Sequence, residues 1–421
     1  MADALANLLI SRLHSLQQQR TTWESHWQEI ADFVVPRKAD VTKVRSPGDK
    51  RAELVFDGTA IHAAELMSAS LHGMLTSSAT SWFSLRYNDD ELNTDDEAME
   101  WLQSVEAVMY KAFNRSNFQE QIHELYHDLV TFGTAVMFIE RDEETQLRFS
   151  TRHIKECYLS EDDRGRVDTV FRKFKMPVRA AMKRFGSEKM SSKILKKAEK
   201  DPYELITLLH CVFERDDRDV TKLTSDNKPY ASVYIEPEEK IVLSEGGFDE
   251  NPYTCPRYLK SSFEVGYGRS PSMTALADIK MLNRMSEVTI RAAQKQVDPP
   301  LLVPDDGFLL PVRTIPGGLN FYRSGTRDRI EPLNIGANNP LGLNMEEQRR
   351  TAIRSAFYVD QLIMGTGPQM TATEVIQRSE EKMRLLGPVL GRLQAELLQP
   401  LISRSYSILE RQKAFRPAPE F

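Results

Sequence analysis

The sequence predicts an α+β fold that is mainly helical, and three observations support this class. Apolar residues recur at helical spacing near both ends of the chain, while residues 205–245 alternate in the manner of β-strands. Between Leu276 and Arg411 the order is helix, strand-rich excursion, helix, glycine-rich loop and very long helix. This order describes a rod that runs out, carries a small β-containing module at its tip and returns. Such a rod suits repetition around an axis better than it suits a catalytic pocket.

Composition limits the class of protein. The chain has 421 residues, of which 41% are hydrophobic and 28% charged, so it has room for two or three domains with real cores. Its net charge of −6 gives no overall basic signature for wrapping nucleic acid. Three widely spaced cysteines, Cys157, Cys211 and Cys255, indicate a reducing compartment without a disulfide framework or a structural zinc site. We find no signal-peptide layout and no apolar stretch of about 20 residues, so we expect no membrane-spanning helix.

The first third of the chain predicts helices and one short strand. Trp23, Trp27, Ile30 and Val34 recur at helical spacing, and Pro36 stops the run. A charged loop over residues 37–53 follows. A helix is predicted at Ala60–Leu75 and a strand at Trp82–Leu85. Asp95-Asp96-Glu97 begins the next predicted helix, which runs through Phe113. A further helix is predicted at Phe118–Thr131, and Gly133 ends it.

The middle of the chain predicts β-structure interrupted by basic helices. Residues 205–245 alternate in the β manner, and residues 177–200 are helical and rich in lysine. A solvated helix face is the favoured interpretation of those lysines, and a DNA or partner patch is the alternative. The predicted strand pairs before this region are Val136–Glu140 with Leu147–Ser150, and Cys157–Leu159 with Val167–Phe174.

The predicted rod has clear boundaries. Its first helix ends where Asp298-Pro299-Pro300 breaks the pattern, and its second runs from Met345 to Met364. After a loop, Thr371-Ala372-Thr373-Glu374 fits a capping box that starts the last helix, which runs to about Lys413. Gly387-Pro388 predicts a kink in this helix, with another possible at Pro400; two separate packed helices are the alternative.

One string has the form of a catalytic motif. His123-Glu124-Leu125-Tyr126-His127 reads H-E-x-x-H, which on a helix places two zinc ligands on one face beside a glutamate base. No H-x-x-G-x-x-H continuation follows, and a third ligand is no better defined than Glu140 or Glu156. A zinc-dependent hydrolase is therefore the alternative function. The sequence contains no P-loop, no G-x-S-x-G elbow and no complete dinucleotide fingerprint.

Six short strings, in their shared order, resemble the portal or head-to-tail connector proteins of short-tailed bacteriophages. The resemblance covers nearly the whole chain, and the order is more specific than any single string. The strings are Trp23-Glu24…Ile30-Ala31…Pro36-Arg37, Phe56-Asp57-Gly58-Thr59-Ala60 leading to Trp82-Phe83, Phe132-Gly133-Thr134-Ala135, Gly266-Tyr267-Gly268-Arg269-Ser270-Pro271, Ile353-Arg354-Ser355-Ala356-Phe357-Tyr358-Val359-Asp360 and Met370-Thr371-Ala372-Thr373-Glu374-Val375.

The resemblance implies a portal-type subunit with named parts. A wing would cover residues 1–270, a first stem helix 271–297, a clip 298–342 and a second stem helix 343–363. A tunnel loop at 364–371 would project toward DNA, and a long kinked wing or crown helix would cover 372–421. Many relatives continue into a larger crown or a C-terminal barrel, so the resemblance implies either that the crown is missing here or that the chain is shortened.

The resemblance also implies a function without catalysis or cofactors. Subunits would form a ring, usually of twelve, at one capsid vertex of the virion, after assembly in the host cytoplasm. The channel would pass double-stranded DNA non-specifically during packaging and ejection. The partners would be the terminase motor, tail adaptors, and major capsid and scaffolding proteins, with no membrane. The implied DNA-facing residues are the uncharged Met364, Gly365, Thr366, Gly367, Pro368, Gln369 and Met370, and the candidate clip contacts to partners are Arg313, Arg323, Arg327 and Arg329.

Overall fold

The computed structural model describes residues 2–46, 48–216, 218–219, 224–302, 331–332, 340–362 and 386–419. Within these ranges the fold is α+β, and helices predominate, as the sequence predicts. The helices are α1 (Ala2–Phe33), α2 (Thr59–Leu75), α3 (Asp96–Arg115), α4 (Phe118–Phe132), α5 (Val178–Phe185), α6 (Ser192–Lys200), α7 (Pro271–Val297), α8 (Pro340–Ala356), α9 (Val359–Leu362), α10 (Gly387–Leu393) and α11 (Gln399–Arg411).

The N-terminal helices form where the sequence predicts them. Trp27, Ile30 and Val34 are fully buried in one stripe of α1 and the turn after it, which confirms the predicted core face. Asp95 caps α3 by accepting a hydrogen bond from the Ala98 amide, and this fixes the helix start. α4 ends at Gly133, which adopts a left-handed conformation with φ 78°.

The strands in the described ranges form three antiparallel sheets. One sheet has the order β2-β1-β8, a larger one has the order β3-β4-β5-β6-β7, and β9 pairs with β10. The predicted hairpins at residues 136–152 and 157–177 are confirmed. The strands are β1 (Val136–Asp142), β2 (Gln146–Arg152), β3 (Cys157–Glu161), β4 (Val167–Pro177), β5 (Leu205–Glu214), β6 (Tyr230–Glu236), β7 (Ile241–Phe248), β8 (Tyr253–Thr254), β9 (Leu301–Leu302) and β10 (Glu331–Pro332).

Helices cover both faces of the five-stranded sheet. The first half of α1 packs Leu9 and Leu13 against the face that carries Leu209, while α5 and α6 pack against the face that carries Leu208. Neighbouring residues of a strand point to opposite faces, which explains why β5 is apolar at both positions. The rest of α1 joins the main core with α2, α3, α4, α7 and the three-stranded sheet.

α7 and α8 form the predicted out-and-back pair. Arg349 of α8 pairs with Asp278 near the start of α7 at 2.7 Å, and Glu346, earlier in α8, accepts from Thr289, later in α7. The two helices therefore run antiparallel. β9 pairs with β10 between them in the chain, and these strands are the part of the predicted β excursion that the structure describes.

Two predicted elements are wrong. Residues Trp82–Leu85 form no strand, because side chains of α3 satisfy their backbone: Tyr110 Oη binds both the amide and the carbonyl of Phe83, and Glu106 accepts from the Leu85 amide. The second rod helix is not continuous from Met345 to Met364. It begins at Pro340 and breaks at Tyr358, whose φ of 55° is left-handed, before the short α9.

The C-terminal helix is irregular rather than simply kinked. α10 starts at Gly387-Pro388, a five-residue π-helical turn covers Gln394–Leu398, and α11 follows with Pro400 in its first turn. Residues 372–385 and the predicted capping box lie outside the described residues. Leu393, Leu397 and Leu401 are all fully buried, so the π turn lies in a helix that packs against the main core.

Candidate functional site

Most of the site residues predicted from the sequence lie outside the residues that the structure describes. These are the loop Met364–Met370 and the four arginines Arg313, Arg323, Arg327 and Arg329. The structure does describe α7 and α8, the helices on either side of the predicted clip, and the short α9 that follows α8. It also describes the part of the chain against which α7 and α8 pack, which we call the base. The candidate site is therefore this base together with the α7–α8 pair.

Two glycines make the closest backbone contact at the base of α7. A Cβ built on Gly133 would lie 2.4 Å from the Gly268 carbonyl oxygen, and one built on Gly268 would lie 2.7 Å from the Gly133 carbonyl oxygen. The Tyr258 amide also donates to the Gly133 carbonyl at 2.9 Å. We call residues 130–134 and 257–272 the glycine junction. Two of the strings that carry the family resemblance thus meet in space, although about 135 residues separate them.

Hydroxyl groups fasten the junction to α4. Ser270 Oγ donates to the Thr131 carbonyl at 2.8 Å, and Ser272 Oγ donates to the Val130 carbonyl at 2.9 Å. Thr134 Oγ1 accepts from the Gly268 amide at 2.8 Å. Ser270 is also the N-cap of α7, because it accepts from the Met273 amide. The C-terminal carbonyls of α4 therefore hold the N-terminus of α7 at a fixed position.

A buried arginine joins three elements beside the junction. The Arg257 guanidinium donates to Glu396 at 2.7 and 3.0 Å, to the Gly165 carbonyl at 2.8 Å, and to Glu161. Glu161 also accepts from Lys260 and from the Gly266 amide. Burial opposes the charge on Arg257, but Glu396 and Glu161 outweigh it and raise the pKa of the guanidinium. We call Arg257, Glu161 and Glu396 the arginine node.

The π turn supplies one member of the arginine node. Glu396 lies inside Gln394–Leu398, and the same carboxylate accepts from Arg392 at 3.1 Å. A π turn inserts an extra residue into a helix and often marks a functional position. The insertion here lets Glu396 reach Arg257 while Leu393 and Leu397 remain in the core. The sequence gives no signal for this node, because its three members come from distant segments.

Polar side chains also fix α7 and α8 to the rest of the chain. Asn283 of α7 accepts from the Phe56 amide at 2.7 Å and donates to the Leu54 carbonyl at 2.8 Å. Arg350 of α8 pairs with Asp57 at 3.1 Å. Burial raises the pKa of Asp57, but hydrogen bonds from Thr59 and Arg350 outweigh it, so this pKa is lowered. The segment before α2 thus contacts both helices of the pair.

The α7–α8 pair exposes large apolar side chains. Val297 is 86% exposed, Leu343 61% and Val288 53%. Met281, Ile290 and Met345 are also exposed. Large apolar side chains that recur along one structure on the surface of a single chain are typical of a protein interface. Among the described residues, these apolar side chains of the pair therefore remain exposed.

The H-E-x-x-H string does not form a metal site with other described residues. His123 is exposed beside His72, whereas His127 is only 3% exposed. Glu124 forms ion pairs with Lys38 at 2.5 Å and with Arg37 at 3.3 Å. Burial, followed by the charges of Arg37 and Lys38, lowers the pKa of His127 to about 4. No three His, Cys, Asp or Glu side chains in the described part of the chain come together as a metal-binding group.

Three remaining sequence features have clear positions. Cys157, Cys211 and Cys255 are free and buried. The basic segment lies in α5 and α6, where Lys193 pairs with Glu238 and Lys197 pairs with Glu204. None of the helices within the described ranges has the length and apolar character needed to cross a membrane.

Comparison with known proteins identifies the family. Residues 6–421 match the family model described as bacteriophage head to tail connecting protein. The chain is 32% identical to the probable portal protein of Bordetella phage BPP-1, over 98% of this chain and 76% of that protein. It is 32% identical to the portal protein of Salmonella phage epsilon15, over 100% of this chain and 77% of that protein. It is 22% identical to the portal protein of Enterobacteria phage T3, over 81% of this chain and 62% of that protein. The chain therefore belongs to the family of bacteriophage head-to-tail connecting proteins.

Proposed function

We propose that this chain is the subunit of a portal ring, with twelve copies, at one vertex of a phage capsid. DNA passes through the ring during packaging and ejection. The observation that carries the proposal is the antiparallel α7–α8 pair with its uncovered apolar side chains, in a chain that matches the connector family from residue 6 to residue 421. The domain boundaries given above, from the wing at 1–270 to the last helix at 372–421, are part of the proposal.

A closed ring requires two different, complementary faces on each subunit. The helix pair provides long sides for such contacts, and Val288, Ile290 and Val297 provide apolar area to bury. The glycine junction and the arginine node support the geometry, because they hold the start of α7 against the body of the chain.

The proposed channel conducts DNA without binding it strongly. Each phosphate contact releases counterions and adds affinity, so a uniformly basic lining would hold the duplex in place. The segment Met364–Met370 carries no charge, and its glycines permit adjustment of the backbone. We propose that this loop faces the DNA.

The partners follow from the position in the virion. The capsid and scaffolding proteins surround the wing, and the clip over residues 298–342 meets the terminase motor and later the tail adaptors. Arg313, Arg323, Arg327 and Arg329 are the proposed contacts there. The motor supplies the energy, so the subunit itself acts without catalysis, and it assembles in the host cytoplasm before it enters the virion.

Native mass spectrometry and negative-stain imaging of the purified chain test the ring directly. Val288→Asp and Ile290→Asp each place charge at an exposed apolar position of α7, and each is expected to shift the protein from rings to monomers. Val44→Asp is the matched control, because Val44 is equally apolar and 86% exposed but lies in the loop before α2. A wild-type chain that stays monomeric at every concentration would contradict the proposed function. Rings in both α7 variants would contradict the assigned interface.

The loop is tested separately by DNA packaging. Removal of Gly365 to Gln369 is expected to leave ring assembly intact and to reduce the amount of DNA packaged into capsids. Normal packaging by rings with the shortened loop would remove the DNA-facing role from this segment. The same assay with Arg323→Ala and Arg327→Ala reports on motor contacts, because a clip defect prevents the start of packaging.

A further inference from the structure

We propose that the basic face of α5 and α6 docks, in the assembled particle, on the acidic segment 87–100 of a second copy of the chain. The inference rests on the proposed ring and deepens it by naming a second, electrostatic contact between neighbours. It starts from the lysine-rich segment that neither the fold nor the helix-pair interface explains.

The basic face has a well-defined construction. Val178, Ala181 and Ile194 point into a buried cluster against the five-stranded sheet, so the opposite sides of both helices face outward. Residues 173–200 contain ten Lys and Arg residues and two Glu residues. Lys193 and Lys197 have acidic partners within the same subunit. The lysines of residues 178–200 that are exposed and form no ion pair with any residue in the described ranges are Lys183, Lys189, Lys196 and Lys200.

The acidic segment is the counterpart. Residues 87–100 contain seven carboxylates and neither lysine nor arginine. All seven are exposed, and no described cation lies within ion-pair distance of them. Asp95 has a separate structural role as the N-cap of α3, and Asp89 accepts from the Glu91 amide. Asp96 and Glu97 lie in the first turn of α3, where acidic residues favour the helix. The remaining carboxylates, Asp90, Glu91 and Glu100, have no such role.

The two surfaces belong to different parts of the subunit. α3 packs through Val105, Met109 and Phe113 in the main core, whereas α5 and α6 pack in a separate cluster on the outer face of the sheet. Two patches of opposite sign, each with exposed charges that form no ion pair within the described ranges, suit a head-to-tail contact between identical subunits. Complementary potentials also select the partner and the register of a contact. For these reasons we assign a second copy, rather than DNA, as the occupant of the basic face.

A charge-swap cycle on the full chain tests this assignment. The basic variant carries Lys183→Glu, Lys189→Glu and Lys196→Glu, and the acidic variant carries Asp90→Lys, Glu91→Lys and Glu100→Lys, which spares the cap and the first turn of α3. The control variant carries Lys50→Glu, Lys111→Glu and Arg115→Glu, three exposed residues whose exchange changes the net charge by the same amount as the basic variant does. Mass photometry at about 0.1 M salt measures the subunit concentration at half assembly, and thermal unfolding checks that each variant is folded.

The expected result is reciprocal. Each single set raises the concentration at half assembly by about tenfold or more, the combined set restores it, and the control set leaves it unchanged. Rings that form equally well in both single sets would overturn the inference and leave the ring intact. Loss of assembly that the combined set does not restore would also overturn it, since the two surfaces would then not face each other. If the basic variant forms normal rings but, alone among the variants, loses binding to a DNA duplex, the basic face contacts DNA and the inference is overturned. A wild-type chain that forms no ring would instead contradict the proposed function.

Discussion

The glycine junction gives the most direct test of how this fold positions its helix pair. Gly133→Ala combines two costs, because Gly133 has φ 78° and because a Cβ there would lie 2.4 to 2.8 Å from the backbone of Gly268 and Arg269. A left-handed conformation costs an L-residue roughly 1–2 kcal/mol, and overpacking against a rigid neighbour costs about 1–3 kcal/mol more. We expect a loss of about 2–5 kcal/mol in the free energy of unfolding.

Two matched variants separate these costs. Gly48 has φ 89° and nothing within 4 Å of an added Cβ, so Gly48→Ala carries the conformational cost alone. Gly268 has no positive φ, but a Cβ there would lie 2.7 Å from the carbonyl oxygens of Gly133 and Leu259, so Gly268→Ala carries the packing cost alone. The sum of the two losses should approximate the loss in Gly133→Ala.

Urea unfolding followed by fluorescence and circular dichroism measures the three losses. Intrinsic fluorescence reports on the region, because Trp23 and Trp27 pack against Tyr267 of the junction. The same unfolding midpoint for Gly133→Ala and Gly48→Ala would refute the close approach of the two backbones. Ring assembly should fail in Gly133→Ala at temperatures where its circular dichroism remains native, since the base of α7 must shift to admit the methyl group.

Three further perturbations follow from the structure. Burial lowers the pKa of His127 and His153 from 6.5 to about 4, so the unfolded chain binds protons at these sites before the folded chain does as the pH falls. The resulting stabilisation is full above about pH 6.5 and is lost progressively toward pH 4. The drop in urea midpoint between pH 7 and pH 5 should therefore be smaller in His127→Gln than in the wild-type chain. Arg257→Met leaves two carboxylates without their buried partner and should cost about 3–5 kcal/mol in urea unfolding, with partial recovery when Glu396→Met is added. Asn283→Ala removes the hydrogen bonds to Leu54, Phe56 and Asp57 and should cost about 1–3 kcal/mol, with faster amide exchange at Phe56; unchanged exchange there would contradict the contact.

The sequence predicts those elements whose signal is local. The stripe of Trp27, Ile30 and Val34 is buried as expected, because spacing along one helix decides which face points inward. Asp95 begins α3 because its carboxylate caps the helix, and Gly133 ends α4 because glycine readily adopts the left-handed conformation found there. The out-and-back order of α7 and α8 also follows from local signals. Pro299 and Pro300 prevent α7 from continuing, and Pro340 stands at the first position of α8.

The errors arise where tertiary contacts replace local preference. Trp82-Phe83-Ser84-Leu85 has strand propensity, but Tyr110 and Glu106 occupy the backbone groups that a partner strand would need. Tyr358 sits in a sequence that fits a helix, yet its backbone is left-handed, with φ 55°, while Phe357 and Val359 remain buried on either side. The arginine node is beyond sequence reasoning altogether, because a single arginine and two distant glutamates carry no pattern.

The rigidity of the base has a reason in the geometry of a closed ring. In a head-to-tail ring each subunit meets the next at the same angle, so a small tilt of the helix pair in one subunit is repeated at every contact and prevents closure. The pair leaves the body of the chain at Ser270 and Pro271, directly beside the contact of Gly133 with Gly268. Glycine there allows backbone to touch backbone with no side chain between them, and Arg257 locks the adjoining segment to Glu161 and to Glu396 of the C-terminal helix. A longer side chain at either glycine would both destabilise one subunit and change the angle that all of them share, so ring closure should be more sensitive to these positions than folding is.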